Sequence, residues 1–359
     1  MGIDKGFDFK GVLEAELQLS SIYDSNVFLS EAQRHEGLQI EMQPNLRYVS
    51  DPEGGATAAV IARYDPVYRV FLDRSELNHM DHDAELEWTI RGRLTELSLS
   101  AGYKEVTGSD RFTGKYDTGS LASGGLLLLR QIGSRSTLHM GFNHAHSDYD
   151  AESISGAQTI RMFIGGLWQP SSRSVVGATL RHTQSDSDFA GGRDSWSGLL
   201  ELRYRLASRL AFSATFGPEW VDYSSVNQDS SLRWQAAIEC RYQINERWIW
   251  SNHLHTAQIP SPDTLGYWID HNSLTSQIEW KTNRGILTGG IEISHARYER
   301  VDPVSPLRSD ENYHAVFIGF SRPIWNDRCR FESLCRRAWN HGVSDWEQWQ
   351  VSAGIRISF

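Results

Sequence analysis

Residues Gln348–Phe359 read QWQVSAGIRISF. Trp349, Val351, Ala353, Ile355, Ile357 and Phe359 alternate with Gln348, Gln350, Ser352, Gly354, Arg356 and Ser358. A period of two puts one set on each face of a β-strand, apolar against polar. The same pattern recurs upstream. Phe9, Gly11, Leu13, Ala15, Leu17 and Leu19 alternate with Lys10, Val12, Glu14, Glu16, Gln18 and Ser20. Leu38, Ile40, Met42, Pro44, Leu46 and Tyr48 alternate with Gln39, Glu41, Gln43, Asn45 and Arg47. Asp83–Ile90 and Leu232–Tyr242 repeat it, with Trp88 and Trp234 on the apolar side and Glu85, Glu87, Arg233, Glu239 and Arg241 on the polar side.

Strand length separates a membrane barrel from a soluble sandwich, since both alternate. These segments run about 10–13 residues, against roughly 5–6 for soluble strands and about 9–11 for a tilted strand crossing a bilayer. Charges sit at mid-strand on the polar face, where a water-filled interior tolerates them. The densest apolar run is Gly124–Leu129 (GGLLLL), far short of the roughly 18 residues of a membrane-spanning helix. A mean hydropathy of -0.45 fits a barrel, because opposed faces average out.

The connections alternate short and long. Short ones are Asp51–Gly55, Arg91–Arg93, Gln131–Arg135, Gln169–Arg173, Ala207–Arg209, Asn245–Arg247, Lys281–Arg284 and Trp325–Asp327, most with turn residues. Long polar stretches lie between them: Ser20–Gly37, Pro66–Met80, Val106–Lys115, Ser147–Ala157, Thr183–Arg193, Asp222–Asp229, Ala257–Gly266 and Glu299–Asp310. Short periplasmic turns alternating with long external loops are the habit of outer-membrane barrels. Eight short turns and about nine long connections predict an all-β, antiparallel up-and-down transmembrane barrel of about 18 strands, with both ends periplasmic. Thr57–Asp65, Lys115–Leu129 and Arg328–Trp339 are its least regular strands, and losing one hairpin there leaves 16. The terminal Phe359 after an amphipathic strand resembles the assembly signal of such barrels.

The whole chain, residues 1–359, reads as one barrel domain, with residues 1–8 a short periplasmic segment. The opening MGIDKGFDFK has no apolar core, so the expectation is a signal peptide already removed and Met1-Gly2 an appended start. Thirteen Trp, 13 Tyr and 14 Phe suit two lipid–water boundaries, and also suit sugar handling. A net charge of -10 argues against nucleic acid as a partner. Cys329 and Cys335 are roughly 20 Å apart along one strand, too far for a disulfide. The expected surroundings are the lipid bilayer and lipopolysaccharide of a bacterial outer membrane.

Two segments resemble the beta-barrel porin 2 family and the related exosortase-associated exopolysaccharide-export barrels. One is Ile22-Tyr23-Asp24-Ser25-Asn26-Val27-Phe28, and the other contains Tyr64, Tyr68, Leu77 and Asp81-His82. The resemblance implies an outer-membrane channel linked to secretion of extracellular polysaccharide, and brings no catalytic residues.

With the apolar face toward lipid, the lumen is expected to hold Glu14, Glu16, Glu41, Arg47, Arg63, Glu85, Glu87, Arg161, Arg181, Arg203, Arg205, Arg233, Glu239, Arg241 and Arg356. Acids concentrate on the first four strands and arginines on the eighth to twelfth. Either opposed charges set a field across a path for sugars, or local ion pairs stiffen the wall. Eighteen strands at about 4.8 Å spacing and 40° tilt give a backbone diameter of roughly 35 Å. Narrowing must come from side chains or a long loop. Ser20–Gly37, with Tyr23, Asp24, Asn26 and Phe28, is either a folded-in constriction or a rim cap.

Other chemistry has weaker support. His79 with His82, His144 with His146 and Asp148, and His253 with His255 are pairs without a third ligand set by spacing, so neither metal nor cofactor is expected. Asp263, Asp270 and His271 near one loop are a thin hint of acid–base work. No Gly-x-Ser-x-Gly elbow occurs, and the expectation is no enzyme. Tyr267 and Trp268 fit the external aromatic girdle better than sugar stacking. The expected function is a channel for polar solutes, either a saccharide or an exopolysaccharide chain. The alternative is an anchoring barrel with a blocked lumen that docks periplasmic or other envelope partner proteins. Lipid-facing positions read as uniformly apolar.

Overall fold

A computed structural model describes residues 11–359 except 32–33, 52, 110–115, 151–155, 189, 207–208, 225–229, 261–267, 300–309, 326–327 and 343–344. Residues 1–10, including the expected periplasmic segment, and Asp263 and Tyr267 lie outside the described residues. The first strands are β1 (Val12–Asp24), β2 (Gly37–Val49), β3 (Ala58–Tyr64), β4 (Val67–Phe71), β5 (His79–Asp81), β6 (Asp83–Arg91) and β7 (Thr95–Ser109). Next come β8 (Tyr116–Gln131), β9 (Ser136–Tyr149), β10 (Ala157–Ser171), β11 (Ser174–Ser187), β12 (Arg193–Leu206), β13 (Leu210–Tyr223) and β14 (Ser231–Gln243). The last are β15 (Trp248–Pro260), β16 (Trp268–Thr282), β17 (Gly285–Glu299), β18 (Asp310–Trp325), β19 (Cys329–His341) and β20 (Trp346–Ser358).

Successive strands pair antiparallel, and β1 closes the ring on β20 from Glu16↔Ser358 to Asp24↔Gln350. Two of the barrel's staves are each made of two strands. β3 and β4 both pair with β2, while β6 pairs with β3 and β5 with β4. The break falls at Asp65-Pro66, where proline has no N–H for the ladder. Asp65 N–H bonds to the Asp83 carbonyl at 2.8 Å and holds the two broken staves together. The barrel therefore has 18 staves.

Val12↔Val49 and the short turns lie at the end that carries the termini, and Asp24↔Gly37 and the long connections lie at the other. Most strands run further toward the long-loop end than alternation predicts. β1 reaches Asp24, β9 Tyr149 and β11 Ser187. The stretch Pro66–Met80, expected as a loop, carries β4, a short 3-10 turn at Ser75–Leu77 and the start of β5. The physical reason is solvent. Beyond the apolar belt both faces meet water, so the ladder continues while its hydrophobic period fades.

The belt itself is plain. Leu86, Leu180, Leu200, Trp234 and Ile318 are 49%, 51%, 52%, 70% and 52% exposed on the outer face. A soluble protein rarely leaves so much apolar surface bare. Trp196, Trp220, Trp234 and Trp349 ring the upper boundary. Trp168 lies at the lower one, with Trp248 stacked on Trp280 at 5.3 Å between ring centres. The outer face is not uniformly apolar. Near the long-loop end it carries His182 against Asp194 at 3.0 Å, and Arg337 paired with Glu347 and packed on Trp339 and Trp349. Those positions lie where apolar side chains give way to a polar boundary.

Candidate solute path through the lumen

Contacts that skip staves identify the inner face. Arg181 on β11 donates to Gln235 on β14 at 3.3 Å, and Arg193 on β12 donates to Gln258 on β15 at 2.6 Å. Only the concave side allows such chords. Register carries that face around the ring through Arg161↔Thr183, Arg181↔Ser197, Arg203↔Ser213, Ser213↔Glu239 and Glu239↔His253. Arg205, Arg233 and Arg241 share it by period two. On the opposite wall Glu14↔Arg47, Arg47↔Arg63 and Arg63↔Glu85 face inward, with Glu16, Glu41, Glu87 and Arg356.

The two walls differ in kind. The acids of the first staves are largely neutralised by neighbours. Arg47 meets Glu14 at 2.8 Å, Arg69 meets Glu41 at 2.9 Å and Asp81 at 2.7 Å, and Arg63 bonds to Asp65 and lies 3.4 Å from Glu85. Arg356 bridges Glu16 at 3.6 Å and Glu332 at 2.9 Å. This wall is a web of ion pairs. The far wall is not balanced in the same way. Arg193 and Glu219 pair at 2.8 Å, 5% and 3% exposed, but Arg161 and Arg181 have no carboxylate within 4 Å among the described residues. With His255, Gln235, Thr159, Thr183 and Trp268 they line a recess of about 560 Å³. A second recess of about 600 Å³ lies toward the short turns, lined by Arg203, Ser213, Glu239, Arg241 and His253.

Two segments narrow the mouth. The β1–β2 loop bends inward: Leu29 is buried with Tyr313, Ala315, Ala338 and Trp346 of β18–β20. Asp24 accepts from the Gln348 amide at 2.8 Å and the Gln350 amide at 2.9 Å. Asn26, 1% exposed, donates to the Glu347 carbonyl at 3.0 Å. On its other side the loop meets β7 and β8. Phe28 packs edge-on to Tyr116 at 5.8 Å, and Ser109 donates to the Val27 carbonyl at 2.8 Å. Asp24, Asn26 and Phe28 thus belong to a strap across part of the mouth. Tyr23 does not. It lies on the outer face, where its hydroxyl donates to Glu36 at 2.8 Å.

The second segment was not apparent from the sequence. The β14–β15 ladder stops at Ala236↔Thr256, while β15 and β16 stay paired to Pro260↔Trp268. The Thr256 hydroxyl takes up the Ala236 N–H at 2.7 Å, in place of a ladder bond. Beyond this split the hairpin leans onto the inner side of β12–β14. Gln258 is held by Arg193 and by the Tyr223 hydroxyl at 2.8 Å, and Asp270 is bonded to Arg233. Trp268, expected in the external girdle, is 1% exposed beneath Arg193, 5.6 Å from its guanidinium carbon. The only forewarning was a tryptophan beside an aspartate at a loop edge. Arg193, Glu219 and Gln258 carried no signal, because they fall at strand ends where alternation has faded.

The remaining candidates do not assemble. His79 faces inward beside Arg69 at 3.1 Å, whereas His82 faces outward, stacked near Tyr64. His144 and His146 lie on the outer face, with His144 bonded to Gln158 at 3.0 Å. His253 and His255 stack in the lumen with ring centres 6.4 Å apart. Among the described residues no three His, Cys, Asp or Glu gather at metal-binding distance.

A closed antiparallel barrel with an apolar exterior, aromatic girdles and a charged lumen is an outer-membrane porin fold, and it belongs in a bacterial outer membrane. Solved structures agree. OpdK of Pseudomonas aeruginosa with vanillate superposes with a TM-score of 0.53 at 11% identity, covering 97% of this chain and 99% of its own. OccK2 of the same organism in complex with glucuronate gives 0.53 at 10%, covering 97% and 98%. A BenF-like porin from Pseudomonas fluorescens gives 0.55 at 10%, covering 99% and 100%. Identities this low speak for the fold alone. No family model and no curated protein matches the chain, so the beta-barrel porin 2 resemblance rests on its short motifs.

Proposed function

We propose that this chain is an outer-membrane channel for small polar solutes, with saccharides as the solute class. The observation that carries this reading is the lumen behind the strap, where charged and hydroxyl side chains line two recesses on one wall. Groups spaced along a polar path can exchange hydrogen bonds with a hydroxyl-rich solute stepwise, weakly enough for it to leave. Support comes also from the similar OccK2 barrel, whose structure is described in complex with glucuronate, an acidic sugar. The strap and the inward hairpin favour a small solute over a bulky polymer. The motif resemblance still favours a place in polysaccharide secretion. On this reading the chain is a conduit and not an enzyme.

A second reading has an observation of its own. The strap from β1–β2 and the hairpin of β15–β16 both occupy the mouth, as they would in a blocked barrel that anchors envelope proteins. Single-channel conductance of the refolded protein in a planar bilayer distinguishes the two. Steady conductance reduced by added saccharide supports the channel. A silent barrel that co-purifies with a periplasmic protein overturns it in favour of the anchor.

A further inference from the structure

The β14–β15 ladder ends at Ala236↔Thr256, although β14 stays paired with β13 up to Val221↔Ser231. Successive residues of a strand bond to opposite neighbours. Gln243 of β14 donates to the Arg209 carbonyl at the foot of β13, at 2.6 Å, so the even residues turn toward β15. Above Ala236 the N–H and C=O of Leu232 and Trp234 therefore have no ladder partner among the described residues. An open strand edge is not stable in hydrocarbon, and persists where it lines water or meets a polar partner.

Two surroundings meet at this edge. Outside, Leu232 and Trp234 are 61% and 70% exposed and continue the apolar face that meets the bilayer, at the girdle depth where lipid head groups lie. Behind the edge, the recess of about 560 Å³ is lined by both sides of the split, Gln235, Ala236 and Ala237 on one and Thr256, Ala257 and Gln258 on the other. The hairpin overlaps β14 here and is held by side chains, Gln258 to the Tyr223 hydroxyl at 2.8 Å and Asp270 to Arg233, which can part without breaking a ladder. A purely polar solute makes no use of Leu232 and Trp234, and a purely apolar one satisfies neither the strand edge nor the recess. A sugar hydroxyl both donates and accepts, so it matches the free backbone groups and the Thr159, Thr183 and Ser185 hydroxyls of the lining. We propose that the split is a side portal between the recess and the outer leaflet, and that its ligand is an amphiphile with an uncharged sugar head and one alkyl chain. The head enters the recess between β14 and the hairpin, and the chain lies against Leu232 and Trp234. Those two side chains form a single apolar track, continuous with the lipid-facing belt, which is why the occupant is one chain from the membrane. The portal goes beyond the channel reading and does not require conduction from end to end, so the two can fail separately.

The test uses the refolded full chain in phosphatidylcholine liposomes, with dodecyl glucoside and methyl glucoside that each carry a photoreactive diazirine on the sugar. Labelled residues are mapped by mass spectrometry. Dodecyl glucoside is expected to label the recess at Thr159, Thr183 or Ala257 at least about tenfold more efficiently than methyl glucoside, as recruitment through apolar contact requires. Leu232→Asp removes that advantage, and Leu232→Met retains it. The comparison of the two probes on the unmodified chain stands even if a variant does not assemble. Equal labelling of the recess by both probes overturns the portal, because the head then arrives through the pore. Dodecyl glucoside labels confined to the outer face also overturn it. So does a dimer in native mass spectrometry whose formation abolishes labelling of the recess, since a second copy then pairs with the edge.

Discussion

Arg193 and Glu219 face each other at 2.8 Å on neighbouring staves, both nine-tenths or more buried, directly above Trp268 of the inward hairpin. They join the fixed wall to the segment that leans on it. A buried ion pair is strongest evidence of cost when half of it is removed. Glu219→Gln leaves the Arg193 charge uncompensated, and is expected to destabilise the barrel by about 3–5 kcal/mol. Urea unfolding followed by tryptophan fluorescence measures this, and an unchanged midpoint would contradict the pairing.

The hairpin of β15 and β16 is latched by polar contacts at its far side. Asp270→Asn weakens the bond to Arg233, a charge-assisted contact worth roughly 1.5–3 kcal/mol. In planar bilayers this variant should show brief conductance transitions at least about tenfold more often than the unmodified chain. Identical noise in both would mean that the hairpin is rigid or does not narrow the path.

Asp24 anchors the strap through Gln348 and Gln350 and also caps the Asn26 N–H at 2.8 Å. Asp24→Ala strands those donors at a cost of about 1–3 kcal/mol. The β1–β2 loop should then become cleavable by protease added outside liposomes, with the barrel intact on gels. A protected loop in the variant would show that Leu29 and its apolar neighbours hold the strap without Asp24.

Gly217 on β13 faces the β12 backbone so closely that an added Cβ would lie 1.9 Å from the Gly198 carbonyl oxygen. The ladder has no regular partner for the neighbouring Gly198–Leu199 pair. Gly217→Ala must push β12 and β13 apart, at about 1–3 kcal/mol or more. The expected outcome is reduced assembly, measured as loss of the compact, heat-modifiable band on gels. Gly166, with open space around its missing Cβ, should accept alanine without that loss.

Much of the fold was legible in the chain itself. Period two marked the membrane-crossing segments, and alternating loop lengths gave the stave count and the side on which the ends lie. It was less legible where local chemistry stops reporting on environment. The two staves broken near Asp65-Pro66 read partly as a loop because their upper halves are short, five residues in β4 and three in β5, too few for a period of two to stand out. The strap was visible as an apolar patch in a polar loop, but Tyr23 could not be told from Phe28, although they end on opposite sides of the wall. The inward hairpin left almost no trace, since its direction depends on where the β14–β15 ladder ends.

What the sequence determined alone is the face of each side chain within a strand. Successive Cβ atoms alternate by backbone geometry, and a slip of one residue would bury charge in lipid, so the apolar pattern enforces it. What only the tertiary structure decided is which charges meet. Arg47 finds Glu14 through strand register, and Arg69 finds Asp81 through the fold of a broken stave. Among the described residues Arg161 and Arg181 have no carboxylate within 4 Å, and Glu219 on the same wall is taken by Arg193. Those outcomes depend on distances of a few ångströms between residues far apart in the chain, and ionic and hydrogen-bonding energies change steeply over that range.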